Sequence, residues 1–154
     1  MRVLNYVNAG HDPTLIVRQA SDGVRLIRLE SKGLPIGTFP DATYQGRSCL
    51  LQPGDLLVAY TDGVTESSNT MQEFWGLARL EGILSTCVGK RPGEIIEAIL
   101  SARETFAGTI APTDDMTLVV AKIEQTAGSR LVKSPQDHET AATCRDAVEA
   151  AENR

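Results

Sequence analysis

The sequence predicts an α+β fold in which helices cover a β-sheet. Three observations carry this reading. Up to Thr61, apolar and β-branched residues come in short runs broken by Gly, Pro, Asn and Asp, as in strands joined by turns. After Asp62-Gly63 the apolar spacing lengthens to three and four residues, the period of amphipathic helices. From Met116 to Ile123 the chain returns to a short apolar run. Strands and helices grouped in this way form segregated layers.

Each element follows from its local sequence. Arg2 to Val7 is a strand that stops at the turn formers Asn8-Ala9-Gly10-His11-Asp12-Pro13. Thr14 to Arg18 is a second strand and Val24 to Glu30 a third, joined through Ser21-Asp22-Gly23, where Gly tolerates the positive φ of a tight hairpin. Gly33-Leu34-Pro35-Ile36-Gly37 is too rich in Gly and Pro for either regular element and reads as an ordered loop. Tyr44 to Leu51 is a fourth strand, ended by Pro53-Gly54. Asp55 to Thr61 is almost wholly apolar, as a strand buried on both faces would be. A helix is expected over Phe74 to Val88, with Leu77, Leu80, Ile83, Leu84 and Val88 on one side. A second begins at Pro92, which suits a first helical position, carries Ile95, Ile96, Ile99, Leu100 and Phe106, and closes at Gly108. Met116 to Ile123 is a last buried strand. Residues 1–124 form the folded unit in this reading, and the polar stretch 125–154 a flexible tail.

Composition bounds the function. The chain has 154 residues, enough for one domain, and 15 Lys and Arg against 20 Asp and Glu give a net charge of −5. With 42% hydrophobic and 23% charged residues it can bury a core, which excludes wholesale disorder and fibrous classes. The mild acidity argues against nucleic acid as a partner. No apolar run reaches the ~20 residues of a membrane span, and the N-terminus has no signal-peptide layout, so a cytoplasmic location is expected. Cys49, Cys87 and Cys144 are widely spaced, with no Cys-x-x-Cys pair to suggest a disulfide framework or zinc ribbon, and Cys49, in a strand-like run, and Cys87, on an apolar helix face, read as buried inert thiols. His11 and His138 are the only histidines, so any metal must be held by oxygen ligands.

The chemistry points to two segments. Asp62 follows an apolar strand and precedes Gly63, whose bare Cα lets a ligand or metal approach the backbone. Asp114 and Asp115 stand just before the last strand. If strands 55–61 and 116–123 are antiparallel, Asp62 and Asp114 or Asp115 meet at one sheet edge, and converging carboxylates need a cation or a shared proton. Mg²⁺ or Mn²⁺ would suit them. An Asp-Gly turn and a capping Asp are the plain alternatives, and spacing alone leaves both open. Other chemistries fail on the residues. A haloacid-dehalogenase-like phosphatase needs a nucleophilic Asp where Tyr60 stands, no Gly-x-Ser-x-Gly elbow exists, and Val88-Gly89-Lys90-Arg91 lacks the parts of a P-loop.

Five strings in order carry a further reading: Tyr6-Val7-Asn8-Ala9-Gly10-His11-Asp12-Pro13, Gly33-Leu34-Pro35-Ile36-Gly37, Leu51-Gln52-Pro53-Gly54-Asp55-Leu56-Leu57, Tyr60-Thr61-Asp62-Gly63-Val64-Thr65-Glu66 and Asp114-Asp115-Met116-Thr117-Leu118-Val119. Together they resemble the SpoIIE/RsbU branch of bacterial PPM-type serine/threonine protein phosphatases, over residues 1–124. The resemblance implies a β-sandwich flanked by helices (αββα). It also implies two Mn²⁺ or Mg²⁺ ions that activate a water for direct attack on phosphoserine or phosphothreonine, without a covalent phospho-enzyme. By position, Asp62 and Asp114 correspond to metal ligands, and Asp115 to a residue that orients them. Gly63, Asn8 and His11 lie near the site, His11 either beside a metal or as a hydrogen-bonding member of its turn. The implied substrate is a phosphorylated anti-sigma-factor antagonist in bacterial signalling.

The family's domain begins before the strand that starts here at Arg2, and its early Asp-x-Ser-Gly motif, whose Asp bridges both ions, has no counterpart in this sequence. The expectation is therefore an N-terminally truncated, C-terminal portion of the domain. The resemblance leaves room for an upstream sensor domain in the full-length parent. Alone, this chain is expected to be inactive and, with part of its sheet uncovered, poorly soluble. The alternative is a non-catalytic, degenerate phosphatase-fold module that binds a signalling protein.

Overall fold

The computed structural model describes residues 2–112 and 114–124. The tail expected over residues 125–154 lies outside the described residues. In chain order the elements are β1 (Arg2–Tyr6), β2 (Thr14–Ala20), β3 (Gly23–Leu29), β4 (Arg47–Leu51), β5 (Leu56–Tyr60), α1 (Asp62–Thr65), α2 (Gly76–Ser85), α3 (Pro92–Ala107) and β6 (Leu118–Lys122). The fold is α+β, as the sequence pattern requires.

Strands β2, β3, β5 and β6 form one antiparallel sheet in the order β3-β2-β5-β6, while β1 and β4 pair as a separate antiparallel ribbon. The β2–β3 hairpin turns through Ser21 and Asp22, and Gly23, at φ 137°, opens β3 opposite Ala20. Strand alternation sorts the sheet's side chains between two cores. Leu15, Val17, Leu56, Val58 and Tyr60 face the helices and pack with Trp75, Leu80, Leu84, Cys87, Ile95 and Ile99, all nearly or fully buried. Ile16 and Leu29 point the other way and pack with Cys49 under the ribbon, alongside Leu4, Tyr6, Leu51 and Leu57. The layers are therefore helices, sheet and ribbon, with no helix on the ribbon's outer side among the described residues.

Several boundaries differ from the sequence reading, each for a physical reason. The fourth strand begins at Arg47 and not Tyr44, because its partner β1 ends at Tyr6, the residue opposite Arg47. The first long helix begins at Gly76, because Phe74 bridges back to Ser68 and the Trp75 N–H donates to the Ser67 carbonyl. Cys87 sits in the turn after α2, fully buried there and not on the helix. Among the described residues strand β6 is an edge strand, with only β5 beside it and Val119 55% exposed on the uncovered face, so it is not buried on both sides there. Helix α3 starts at Pro92 as expected, with the Arg91 N–H donating to Glu94 Oε2 at 2.8 Å. The one element the sequence reading lacks is α1, a four-residue turn of helix built on Asp62-Gly63 itself.

Candidate functional site

Antiparallel pairing sets which loops share an edge. Strand β5 ends at Tyr60, paired with Leu118 at the start of β6. Beyond that pair the two chains stay joined: the Thr61 N–H donates to the Thr117 carbonyl at 3.0 Å, and the Thr117 N–H donates to Thr61 Oγ1 at 2.9 Å. The Thr61 hydroxyl in turn donates to the Asp115 carbonyl at 3.3 Å. Gly63 lies so close to that carbonyl oxygen that a methyl group in place of its hydrogen would collide with it. The exit of β5 and the entrance of β6 thus form one structure, with Asp62 on one side and Asp114-Asp115 on the other.

Strand β2 also runs antiparallel to β5, so the residues before Thr14 lie on the same edge. Asp12 is near enough for its charge to help push the Tyr60 phenol up to about 12, after burial as the larger cause. The turn that carries Asp12 is closed by Asn8, whose Oδ1 accepts from the His11 N–H at 2.9 Å and whose Nδ2 donates to the His11 carbonyl at 2.8 Å. His11 Nδ1 is 2.9 Å from the Asp12 carbonyl, a hydrogen bond in the tautomer with the proton on Nδ1. The Gly33–Pro35 loop rests on this turn. A side chain at Gly33 would strike the Asn8 carbonyl, and one at Gly10, already at φ 78°, would strike Pro35. Residues from Asn8 to Asp12, Gly33 to Pro35, Asp62-Gly63 and Asp114 to Thr117 are therefore neighbours at one end of the sheet. Gln52 to Asp55 is at the opposite end of β5.

The carboxylates at the site are open to solvent. Asp62 Oδ1 accepts from the Gly63 N–H at 2.9 Å and Asp114 Oδ1 from the Asp115 N–H at 2.7 Å. Asp62, Asp114 and Asp115 are exposed, and none is in an ion pair among the described residues. These hard oxygen donors suit Mg²⁺ or Mn²⁺. Among the described residues no group of three His, Cys, Asp or Glu side chains is gathered closely enough to hold a metal. The donor set fits part of a coordination shell, with room for ligands from elsewhere.

Behind Gly63 lies a polar chain the sequence reading missed. Buried Ser67 donates its hydroxyl to the Gly63 carbonyl at 2.8 Å, and buried Arg103 donates Nε–H to Ser67 Oγ at 2.8 Å. A signal existed in the sequence: Ile95, Ile99, Arg103 and Ala107 recur every fourth residue, which places an arginine in the buried stripe of α3. At the far end of β5, Asp55 is 2% exposed and held by Arg18 through Nε and Nη2 at 2.9 and 2.7 Å.

Residues 1–124 match the family described as Stage II sporulation protein E (SpoIIE). Protein IcfG of Synechocystis sp. is 34% identical over 119 residues, which covers 75% of this chain and 18% of that protein. Phosphoserine phosphatase RsbU of Bacillus subtilis is 38% identical over 61 residues, covering 40% of this chain and 18% of RsbU. Among solved structures, the phosphatase domain of the cell fate determinant SpoIIE from Bacillus subtilis, Mn presoaked, aligns with a TM-score of 0.59 at 20% identity. It covers 83% of this chain and 54% of that one. This chain therefore spans less than a fifth of those two curated relatives and about half of that solved domain.

Proposed function

Because the chain belongs to the SpoIIE family, we propose that it forms part of a PPM-type protein serine/threonine phosphatase acting on a phosphorylated signalling protein. The observation that carries this reading is the gathering of separate family strings at one end of the sheet, with Asp62 and Asp114 among them, both exposed and in no ion pair among the described residues. In this reading residues 1–124 supply the phosphatase portion and residues 125–154 an appended segment. Asp62 and Asp114 each offer a carboxylate to Mn²⁺ or Mg²⁺. Asp115 fixes the approach of the two segments through its backbone carbonyl, and Gly63 makes that approach possible. Asn8 and His11 shape the adjoining turn. When bound, the ions make a nucleophile available at neutral pH and offset the charge that develops on the phosphoryl group. The likeness to RsbU, a phosphoserine phosphatase, supports a phosphoserine or phosphothreonine protein as substrate. An anti-sigma-factor antagonist in the cytoplasm is the partner proposed. No helix among the described residues is long and apolar enough to cross a membrane.

The test is metal binding by the 154-residue chain. Adding Mn²⁺ should broaden the backbone NMR signals of Asp62, Gly63, Asp114 and Asp115 selectively, and Asp62→Asn should abolish this. Turnover of a phosphoserine protein by this chain alone is expected to be negligible, since its described ligands complete no shell. Indifference to Mn²⁺ together with retained binding of a signalling protein would instead favour a non-catalytic module.

A further inference from the structure

A guanidinium is a costly group to bury, and a buried one is ordinarily matched to a carboxylate. Arg103 is 4% exposed, yet no carboxylate is in ion-pair distance of it among the described residues. Its hydrogen bond is spent on a neutral serine. An aliphatic residue would continue the stripe of Ile95 and Ile99 without that cost. What the arginine holds within the fold is Ser67, through its Nε–H.

Ser67 is fixed from several directions. Its backbone carbonyl accepts the Trp75 N–H at 2.8 Å, its hydroxyl oxygen accepts from Arg103, and its hydroxyl proton goes to the Gly63 carbonyl. In a chain of donors each bond polarises the next, so the arginine's charge strengthens the serine's hold on Gly63. Gly63 is simultaneously pressed against the Asp115 carbonyl and donates its N–H to Asp62 Oδ1. Its position is thus set on three sides, and that of Asp62 with it.

From this geometry we infer that Arg103, acting through Ser67, is a positioning residue for the site. The pair holds the Asp62-Gly63 turn so that the Asp62 carboxylate stands ready for a divalent cation. The inference rests on the metal-dependent reading of Asp62 and extends it to two side chains on other elements. It makes α3 a part of the site as well as a cover for the sheet.

The test uses the 154-residue chain, with amide hydrogen exchange and Mn²⁺ line broadening as readouts. The reporter amides are those of Gly63, Val64 and Glu66, which donate to Asp62 Oδ1, the Thr61 carbonyl and the Asp62 carbonyl. In Ser67→Ala, exchange at these amides should rise roughly tenfold while the β2 and α3 amides change little. The Mn²⁺ concentration for half-broadening of Asp62 should rise at least fivefold. Arg103→Met should move both readouts the same way, and Arg103→Lys, which keeps a charged donor, should recover most of the loss. Ile99→Val, one turn earlier on α3, controls for lost packing and should leave the Mn²⁺ titration alone. Wild-type broadening that persists unchanged in a folded Ser67→Ala chain overturns the inference and spares the metal reading. No selective broadening in the wild-type chain overturns both.

Discussion

The two ends of β5 each present an aspartate, and the two are treated in opposite ways. Asp55, at the entrance, is buried and saturated. Arg18 binds it with two nitrogens, the Gln52 N–H donates to it at 2.8 Å, and Arg18 Nη2 also reaches the Leu50 carbonyl at 2.7 Å, tying the sheet to the ribbon. Asp62, at the exit, is exposed, and among the described residues its carboxylate has only the next residue's amide. A carboxylate neutralised within the fold serves the fold. One left open to solvent, where the β5 exit meets the Asp115 backbone, is available to a ligand. The strand carries a structural end and, in the proposed reading, a functional end.

That contrast breaks most visibly at the structural end. Removing one partner of a buried ion pair leaves the other uncompensated, so Asp55→Ala should cost on the order of 3 kcal/mol. Urea unfolding of the variant against wild type measures it. Arg18→Met should cost less, since Asp55 keeps the hydrogen bond from the Gln52 N–H. Equal, small losses in both variants would mean that the pair is no more than a surface bridge.

Gly63→Ala comes next. The new methyl group meets a backbone oxygen, Asp115's, which cannot rotate away as a side chain would. Separating the β5 exit from the β6 entrance should cost about 1–3 kcal/mol, the range of an overpacked site. The variant should also lose Mn²⁺ broadening at Asp114 and Asp115. Asp62→Asn has a smaller effect on folding, within about 0.5 kcal/mol, as expected of an exposed side chain. It should nonetheless abolish the Mn²⁺ response. A large loss of stability in Asp62→Asn would erase the distinction between the two ends.

The legibility of these features in the sequence follows the same physics. Strand and helix identity could be read because alternation and the three-to-four spacing report burial directly, as at Leu15, Val17, Ile95 and Ile99. The meeting of Asp62 with Asp114-Asp115 could be anticipated from one assumption, antiparallel β5 and β6, which the register bears out. Boundaries set by a distant partner could not: Arg47 opens β4 because Tyr6 closes β1, 41 residues away in the chain (47 − 6). The edge position of β6 was hidden for the same reason, as an apolar strand looks alike whether one or both faces are covered. The Arg18–Asp55 and Arg103–Ser67 contacts link residues 37 and 36 positions apart, and polar pairs of that kind leave no periodic trace.

A third carboxylate sharpens the comparison with the least expected effect. Glu94 is exposed like Asp62 but is paired like Asp55, with the Arg91 side chain at 2.9 Å and the Arg91 N–H at 2.8 Å. The Arg91 side-chain bond first, and its backbone N–H second, bring the Glu94 carboxyl down to about 2, from 4.5. A depressed carboxyl stabilises the fold fully above its unfolded value, and that contribution is lost as pH falls from about 4.5 through about 2. Solvent and salt screen a pair this exposed, so Glu94→Gln should shift stability at neutral pH only slightly. It should remove the part of the acid sensitivity that lies in this window. Carboxyl titration by NMR would read the Glu94 midpoint directly. A midpoint near 4.5 would show that pairing without burial does not hold a carboxylate in this fold, and burial alone would then separate Asp55 from the rest.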